Sequence, residues 1–525
     1  MNRIKVLDCT LRDGGYCNQW SFGLNNIKKI INRLEESGVE IIECGFLTNK
    51  IEYDNNFSKF SDINQISRVI HPKSSESLYV CMMNYGEYPV KQLPDRNDST
   101  VDGIRIAFHK KDLENALLDA KVIKQKGYKV FIQAMVSLNY TDKEYLYLIN
   151  KCNEIDPYAF YIVDSFGVMK SKDLIRLFYM VEHNLKEGIH IGYHSHNNMQ
   201  LAYSNAQALA SIQTKRYLII DTSVYGMGRG AGNLNTELFV EHLNDNYNKQ
   251  YDSKPLLVII DEVLNNFYQK NYWGYSLPNY LSAKHNAHPN YATYLDDKKT
   301  LTVENMDEIF SLMDIDKKNS FNKPYIEELY VNYMENGRTQ EEHLAELTKY
   351  LTGKTILIIA PGKSSEDEKD KIITFLSKKN VASISVNFIY PEYETDYIFL
   401  SNLRRFKELD KTKKDKCIVT SNIPGEGVYL QTNYRELLNS YESVQDNSSM
   451  MLVKFLIKLK VKEIIFAGLD GYAIDTSQNF ASEKMSFSAK KSTLENMNTG
   501  MSEVLKLYSK KIKIGFLTKP RYVRI

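Results

Sequence analysis

Within the first 225 residues, eight short apolar runs of strand length, at 4–9, 40–46, 78–83, 103–108, 128–136, 160–164, 189–194 and 218–223, alternate with stretches of helical spacing. Stretches such as 25–37 and 112–126 set apolar residues three and four apart and keep their other faces charged, as surface helices do. Eight strand–helix repeats are what a closed parallel α/β barrel takes; a doubly wound open sheet is the alternative, and the count favours closure. In such a barrel chemistry sits at the carboxyl ends of the strands. The polar residues at those ends are Arg12 and Asp13, Glu43, Asn84, His109, Gln133, Ser137, Asp164, His194 and His196, and Asp221. Taken singly each can be structural: Asp164 in VDSFG suits a helix cap, and Asp221 suits a loop amide.

Two of these strand ends carry more than their neighbours. The stretch DCTLRDGG at 8–15 leaves an apolar run directly into a Gly-Gly turn, so Arg12 and Asp13 sit on a rigid strand end that backbone or ligand can approach closely. Aspartate suits a hard divalent cation, and a guanidinium forks onto two oxygens of a developing anion. In HSHNN at 194–198 alternate strand positions share a face, so His194 and His196 point the same way and can grip one metal. Two imidazoles and one carboxylate leave positions open for water and substrate. The glycine-rich GMGRGAGN at 226–233, after the eighth run, suits an anion-binding loop or tight packing about equally.

DCTLRDGG, the EIIECGF that puts Glu43 thirty residues after Asp13, HSHNN and GMGRGAGN together resemble the DRE-TIM metallolyases. That superfamily includes 4-hydroxy-2-oxoacid aldolases, hydroxymethylglutaryl-CoA lyase, and the isopropylmalate and homocitrate synthases. The resemblance implies a divalent metal, Mn2+ or Mg2+ before Co2+ or Zn2+, on Asp13, His194 and His196, with Asn233 as a candidate fourth ligand. It implies an enolate-stabilising Arg12 supported by Glu43. Related aldolases close a helical segment over the barrel mouth, and by position Tyr291 or His288 of the aromatic stretch 272–295 would be its contribution. One departure is visible: 4-hydroxy-2-oxovalerate aldolases have histidine three residues after the metal-binding aspartate, where this chain has Tyr16. The acid–base group is then Tyr16, a metal-bound hydroxide, or a histidine such as His109 or His288.

At 525 residues two or three domains are expected, and 67 basic against 65 acidic side chains give no global pull toward nucleic acid or an anionic membrane. No apolar run reaches the length of a membrane span, and no signal-peptide core opens the chain. The six cysteines form no CxxC pair and read as reduced thiols of a cytoplasmic protein. Barrels of this kind commonly pair, so a homo-oligomer is expected.

The expected organisation is a (β/α)8 TIM barrel over 1–270, a helical extension and connector over 271–350, and a Rossmann-like α/β domain over 351–525. In the last part strands are predicted at 354–360, 383–388, 397–400, 416–420, 463–467 and 513–516, with a long apolar helix before a Gly-Leu-Asp-Gly turn. This half weakly resembles sialyltransferase-like nucleotide-binding domains, which implies a nucleotide or nucleotide sugar as partner. Ser364, Ser365, Asn387, Asn402, Ser449 and Asp470 outline its candidate pocket; a degenerate structural domain is the competitor.

The expected function is a metal-dependent aldolase that joins or separates pyruvate, as its enolate, and an aldehyde, giving a 4-hydroxy-2-oxoacid; nothing in the chain resembles the dehydrogenase to which related aldolases pass acetaldehyde, so a sugar-derived or other polar aldehyde is expected in its place. The alternatives are an acyl-CoA Claisen condensation or lyase reaction on the same metal site, a glycan-assembly transferase centred on the second domain, and a non-catalytic scaffold.

Overall fold

In the computed structural model, which describes residues 3–298, 301–334, 341–423, 427–475, 479–480, 482, 485 and 489–524, all eight expected runs form strands. They are β1 (Ile4–Asp8), β2 (Ile41–Leu47), β4 (Leu78–Asn84), β5 (Gly103–Phe108), β6 (Lys129–Ala134), β7 (Ala159–Asp164), β8 (His190–Ser195) and β9 (Leu218–Thr222), with a short β3 (Lys59–Phe60) beside β2. Every neighbouring pair is parallel, and β1 pairs with both β9 and β2, which closes the barrel.

Alternation along the strands sorts side chains between two cores. Leu7, Ile41, Val80, Phe131, Ala159, Tyr161 and Ile219 fill the barrel interior. Ile104, Ile106, Ile132, Ile162 and Ile220 face outward against the helices. The helix Leu24–Glu36 shows why they dock: Ile27, Ile30, Ile31 and Leu34 recur on one face and are all buried. Each such side chain removed from water is worth about 2 kcal/mol. The helix Asp142–Ile155 starts at a capping box in which Thr141 and Glu144 each satisfy the other's backbone amide.

The polar layer of the barrel lies above the apolar one on the same inward positions. Glu43 follows Ile41 by two, Asp221 follows Ile219 by two, and Arg105 lies between Gly103 and Ala107. A register shift in β2 between Glu43 and Phe46 is made at Gly45, whose φ of +143° and whose missing Cβ, which would sit 2.0 Å from Ser58 O, let the 58–60 segment pair there.

The second sheet is all parallel, in the order β14 (Leu430–Thr432), β13 (Cys417–Thr420), β12 (Tyr397–Leu400), β11 (Val381–Val386), β10 (Thr355–Ile359), β15 (Glu463–Ala467), β16 (Lys513–Phe516). The order reverses between β10 and β15, as in doubly wound, Rossmann-like sheets. The three-residue β14 has no counterpart among the predicted strands.

The chain divides into Met1–Ala292 with Ile315–Phe321, and Thr293–Asp314 with Asn322–Ile525. Of the stretch 271–350, residues 271–292 and 315–321 go with the barrel, and its other described residues go with the second sheet. Residues 299–300 and 335–340 of that stretch lie outside the described residues. Among the described residues no helix is long and apolar enough to cross a membrane.

Candidate active site

The loop that follows β1 is pinned before it delivers its functional groups. Asp8 accepts from Thr10 N at 2.9 Å and from Thr236 Oγ1 at 2.7 Å, so this carboxylate is a structural clamp. Burial raises its carboxyl to about 6 against those hydrogen bonds. Trp20 Nε1 donates to Arg12 O at 2.7 Å, which fixes the next turn.

Arg12 and Asp13 emerge there, both buried. Arg12 Nε donates to Glu43 Oε2 at 2.7 Å and Nη1 donates to Asp13 Oδ1 at 2.9 Å, while Nη2 is buried with no partner. His194 Nε2, near the end of β8, and His196 Nε2, just past it, approach Asp13 Oδ2 to 3.9 Å and 3.7 Å. One ligating atom from each of Asp13, His194 and His196 lies within 4.8 Å of the others, a spacing that suits a common metal ion.

Behind this triad stands a second rank. Asp221 Oδ2 accepts from His194 Nδ1 at 2.9 Å, which fixes the ring and leaves Nε2 facing Asp13. The fully buried Arg105 pairs with Glu43 at 2.9 Å and with Asp221, and its Cζ lies 4.9 Å from the Tyr161 ring centre. Asn233 Nδ2 donates to Asp13 Oδ2 at 2.6 Å, and its Oδ1 is buried without a partner. The backbone comes this close because residue 228 is glycine: a Cβ there would sit 2.3 Å from Asn233 Nδ2.

The electrostatics fit a divalent cation. Arg12 and Arg105 form ion pairs with three carboxylates, Asp13, Glu43 and Asp221, and a third guanidinium, Arg229, also acts on Asp13. Burial alone would raise the Asp13 carboxyl, but Arg12, then His196, His194 and Arg229, together hold it well below the usual range. Burial, against the pull of Asp13, lowers His196 to about 3, so its imidazole is neutral and able to ligate. Burial pushes the Cys9 and Cys44 thiols well up, which leaves them as small apolar fillers. All six cysteines are buried.

The remaining expected residues distribute unevenly. Tyr16 is 39% exposed, and desolvation raises its phenol against the pull of Arg229 nearby. His288 contacts the site through Arg229, with Nε2 3.3 Å from Arg229 Nη1. Burial and then Arg229 lower His288 to about 2. Tyr291 is committed elsewhere: its hydroxyl lies 2.9 Å from Lys317 O and 2.8 Å from Ser320 O, tying 315–321 to the helix it belongs to. His109 is lowered mainly by burial, and Asp164 caps the next turn by accepting from Val168 N and Met169 N at 2.9 and 3.0 Å.

Sequence reasoning missed Arg105 and Arg229. The signal for Arg105 was present, a charge at an inward position of an otherwise apolar strand. Arg229 was hidden by reading its loop as a source of backbone amides.

In the second unit a cavity of about 640 Å³ opens beyond the carboxyl ends of β10, β11 and β12. Of the six residues expected to outline a pocket there, Asn387, Asn402 and Ser449 line it. Ser364, Ser365 and Asp470 do not: Ser364 donates to both Asp470 oxygens through its amide and hydroxyl, at 2.7 and 2.5 Å, and Ser365 donates to Gly362 O at 2.7 Å.

Residues 107–262 match the HMGL-like family model. A 4-hydroxy-2-oxovalerate aldolase from Geobacillus genomosp. 3 is 28% identical over 248 residues, 46% of this chain and 70% of that one. Another from Pseudoalteromonas translucida is 25% identical over 246 residues, again 46% and 70%. Among solved structures, the N-terminal domain of a Bacteroides vulgatus protein described as an aldolase is 26% identical, covers 59% of this chain and all of that one, and superposes with a TM-score of 0.48.

Proposed function

We propose, for a chain that carries an HMGL-like domain of the DRE-TIM metallolyase type, a divalent-metal-dependent aldolase that makes or breaks the bond between pyruvate and an aldehyde. The observation that carries this reading is the Asp13–His194–His196 cluster beside a buried arginine whose Nη2 has no partner. Asp13, His194 and His196 would hold the cation, with the unpartnered Asn233 Oδ1 as a fourth donor. This oxygen- and imidazole-rich set suits Mn2+ or Mg2+, and also Co2+ or Zn2+. A cation there would polarise the keto group of pyruvate and acidify its methyl protons.

The chain's own residues do the rest. Arg12 Nη2 offers a donor to the enolate oxygen, and preorganised donors at a site of developing charge are usually the largest catalytic term. Glu43 and Arg105 position Arg12. Tyr16, whose raised phenol stays protonated at neutral pH, gives its proton to the aldehyde oxygen in the joining direction and is reprotonated from water, to which the pyruvate methyl proton is lost. His288 is too weak a base to take that proton, because burial and Arg229 both oppose its charging.

The test is exchange of pyruvate methyl protons in deuterated water, followed by NMR, with Mn2+ or Mg2+ and with chelator as control. Metal-dependent exchange that His194→Ala abolishes is the expected result. No exchange from folded, metal-loaded protein would reject pyruvate as donor and turn to acyl-CoA. For the second unit, the cavity beyond the strand ends supports a nucleotide as ligand, since open parallel sheets bind ligands in that place. Absence of nucleotide binding by calorimetry would reject it.

A further inference from the structure

Arg229 is a cation in search of an anion. Its guanidinium stands at the tip of the glycine-rich loop, with Nη2 3.3 Å from Ser165 O, Cζ 5.3 Å from the centre of the Tyr16 ring, and Nε buried with no partner. Among the described residues no carboxylate forms an ion pair with it, whereas Arg12 and Arg105 each hold two. A half-buried guanidinium left with a carbonyl, a π face and an imidazole is under-satisfied, and burial without a charge partner is costly.

The imidazole makes the deficit larger. Asn290 N donates to His288 Nδ1 at 3.2 Å, so a neutral His288 carries its proton on Nε2. That Nε2–H faces Arg229 Nη1 across 3.3 Å, two donors with no acceptor between them. Together with the free Nε, they form a set of N–H groups that an acceptor bearing negative charge would satisfy. Gly228, next to Arg229 in the chain, lies against the candidate metal cluster: a Cβ there would sit 3.4 Å from Asp13 Oδ2.

We infer that Arg229, with His288 as second donor, forms an anion subsite, so that the aldehyde partner carries a carboxylate or a phosphate. The inference rests on the aldolase reading only for the word aldehyde; the subsite itself stands on the geometry. Arg229 takes the charged end and Tyr16, against its guanidinium, faces the aldehyde oxygen.

The experiment uses the full-length protein loaded with Mn2+, with oxamate, an unreactive isostere of pyruvate, in the donor position. Calorimetry compares succinic semialdehyde with butanal, and glyceraldehyde 3-phosphate with glyceraldehyde. One charged member should bind about tenfold or more tightly than its neutral match, the worth of a hydrogen bond to a charged group; which pair shows it distinguishes carboxylate from phosphate. Arg229→Gln should bring that ratio to within about twofold, and Arg229→Lys, which keeps a point charge, should retain a larger ratio than the glutamine variant. Equal binding of charged and neutral members by the unaltered protein overturns the inference. So does a ratio unchanged in Arg229→Gln, or a loss of oxamate binding in its place, which would assign Arg229 to the donor carboxylate. Pyruvate methyl exchange on the same sample separates the two readings: discrimination without exchange keeps the subsite and rejects the aldolase, and exchange without discrimination does the reverse.

Discussion

His194 and Asp221 are joined by one hydrogen bond, Nδ1 to Oδ2 at 2.9 Å, and the same Asp221 oxygen is paired with Arg105. The bond selects the tautomer that turns Nε2 toward Asp13. Asp221→Asn removes the charge while keeping the shape, and should weaken Mn2+ binding by about 10- to 100-fold, the usual cost of losing such a partner behind a ligating histidine. Titration followed by electron paramagnetic resonance measures it; unchanged affinity would reject the orienting role.

Arg12 sends Nε to Glu43 and Nη1 to Asp13, which leaves Nη2 for the substrate. Lysine at position 12 supplies charge but no planar fork. Arg12→Lys should therefore bind metal to a similar extent and lose on the order of 10²-fold or more in pyruvate exchange. Near-normal exchange would show that the enolate oxygen is stabilised elsewhere.

The meeting of Asp13, His194 and His196 was legible because its signals are local: two histidines two apart at one strand end, and one aspartate in a Gly-Gly turn. The eight repeats announced the barrel for the same reason. The pairings behind the cluster were not legible. Arg105 meets Asp221 across 116 residues, and only the strand order and tilt of a closed barrel bring β5 and β9 side chains to one level. Nor do amphipathic helices such as those of 271–350 state which of two cores their apolar faces will join. Tyr291 was, with His288, one of two candidates by position, yet the carbonyls of a segment 26 and 29 residues downstream claim its hydroxyl.

Arg105 is fully buried between two carboxylates. Arg105→Met keeps the volume but strands Glu43 and Asp221 without their shared counter-charge. The barrel should lose about 3–5 kcal/mol in urea unfolding, the range for breaking a buried pair by removing one partner. A loss under about 1 kcal/mol would mean that the two carboxylates find other partners or take up protons.

His190 opens β8 at the amino end of the barrel, away from the metal cluster, with its ring 4.4 Å from Tyr158 and 5.2 Å from Tyr217. Lys5 lies over both tyrosines and Lys129 over Tyr158, so a charged imidazole would join two cations in a partly dry place. Burial first, then Lys5, lower His190 to about 4, against the carbonyl of Gly188. The unfolded chain takes up a proton near pH 6.5 that the folded chain refuses until about pH 4. Stability from this group is therefore complete above pH 6.5 and is lost as pH falls toward 4. His190→Phe keeps an aromatic ring between the tyrosines and removes the titration. Its melting temperature relative to the unaltered protein should rise between pH 7.5 and pH 5, and a difference that does not change with pH would show that His190 titrates normally.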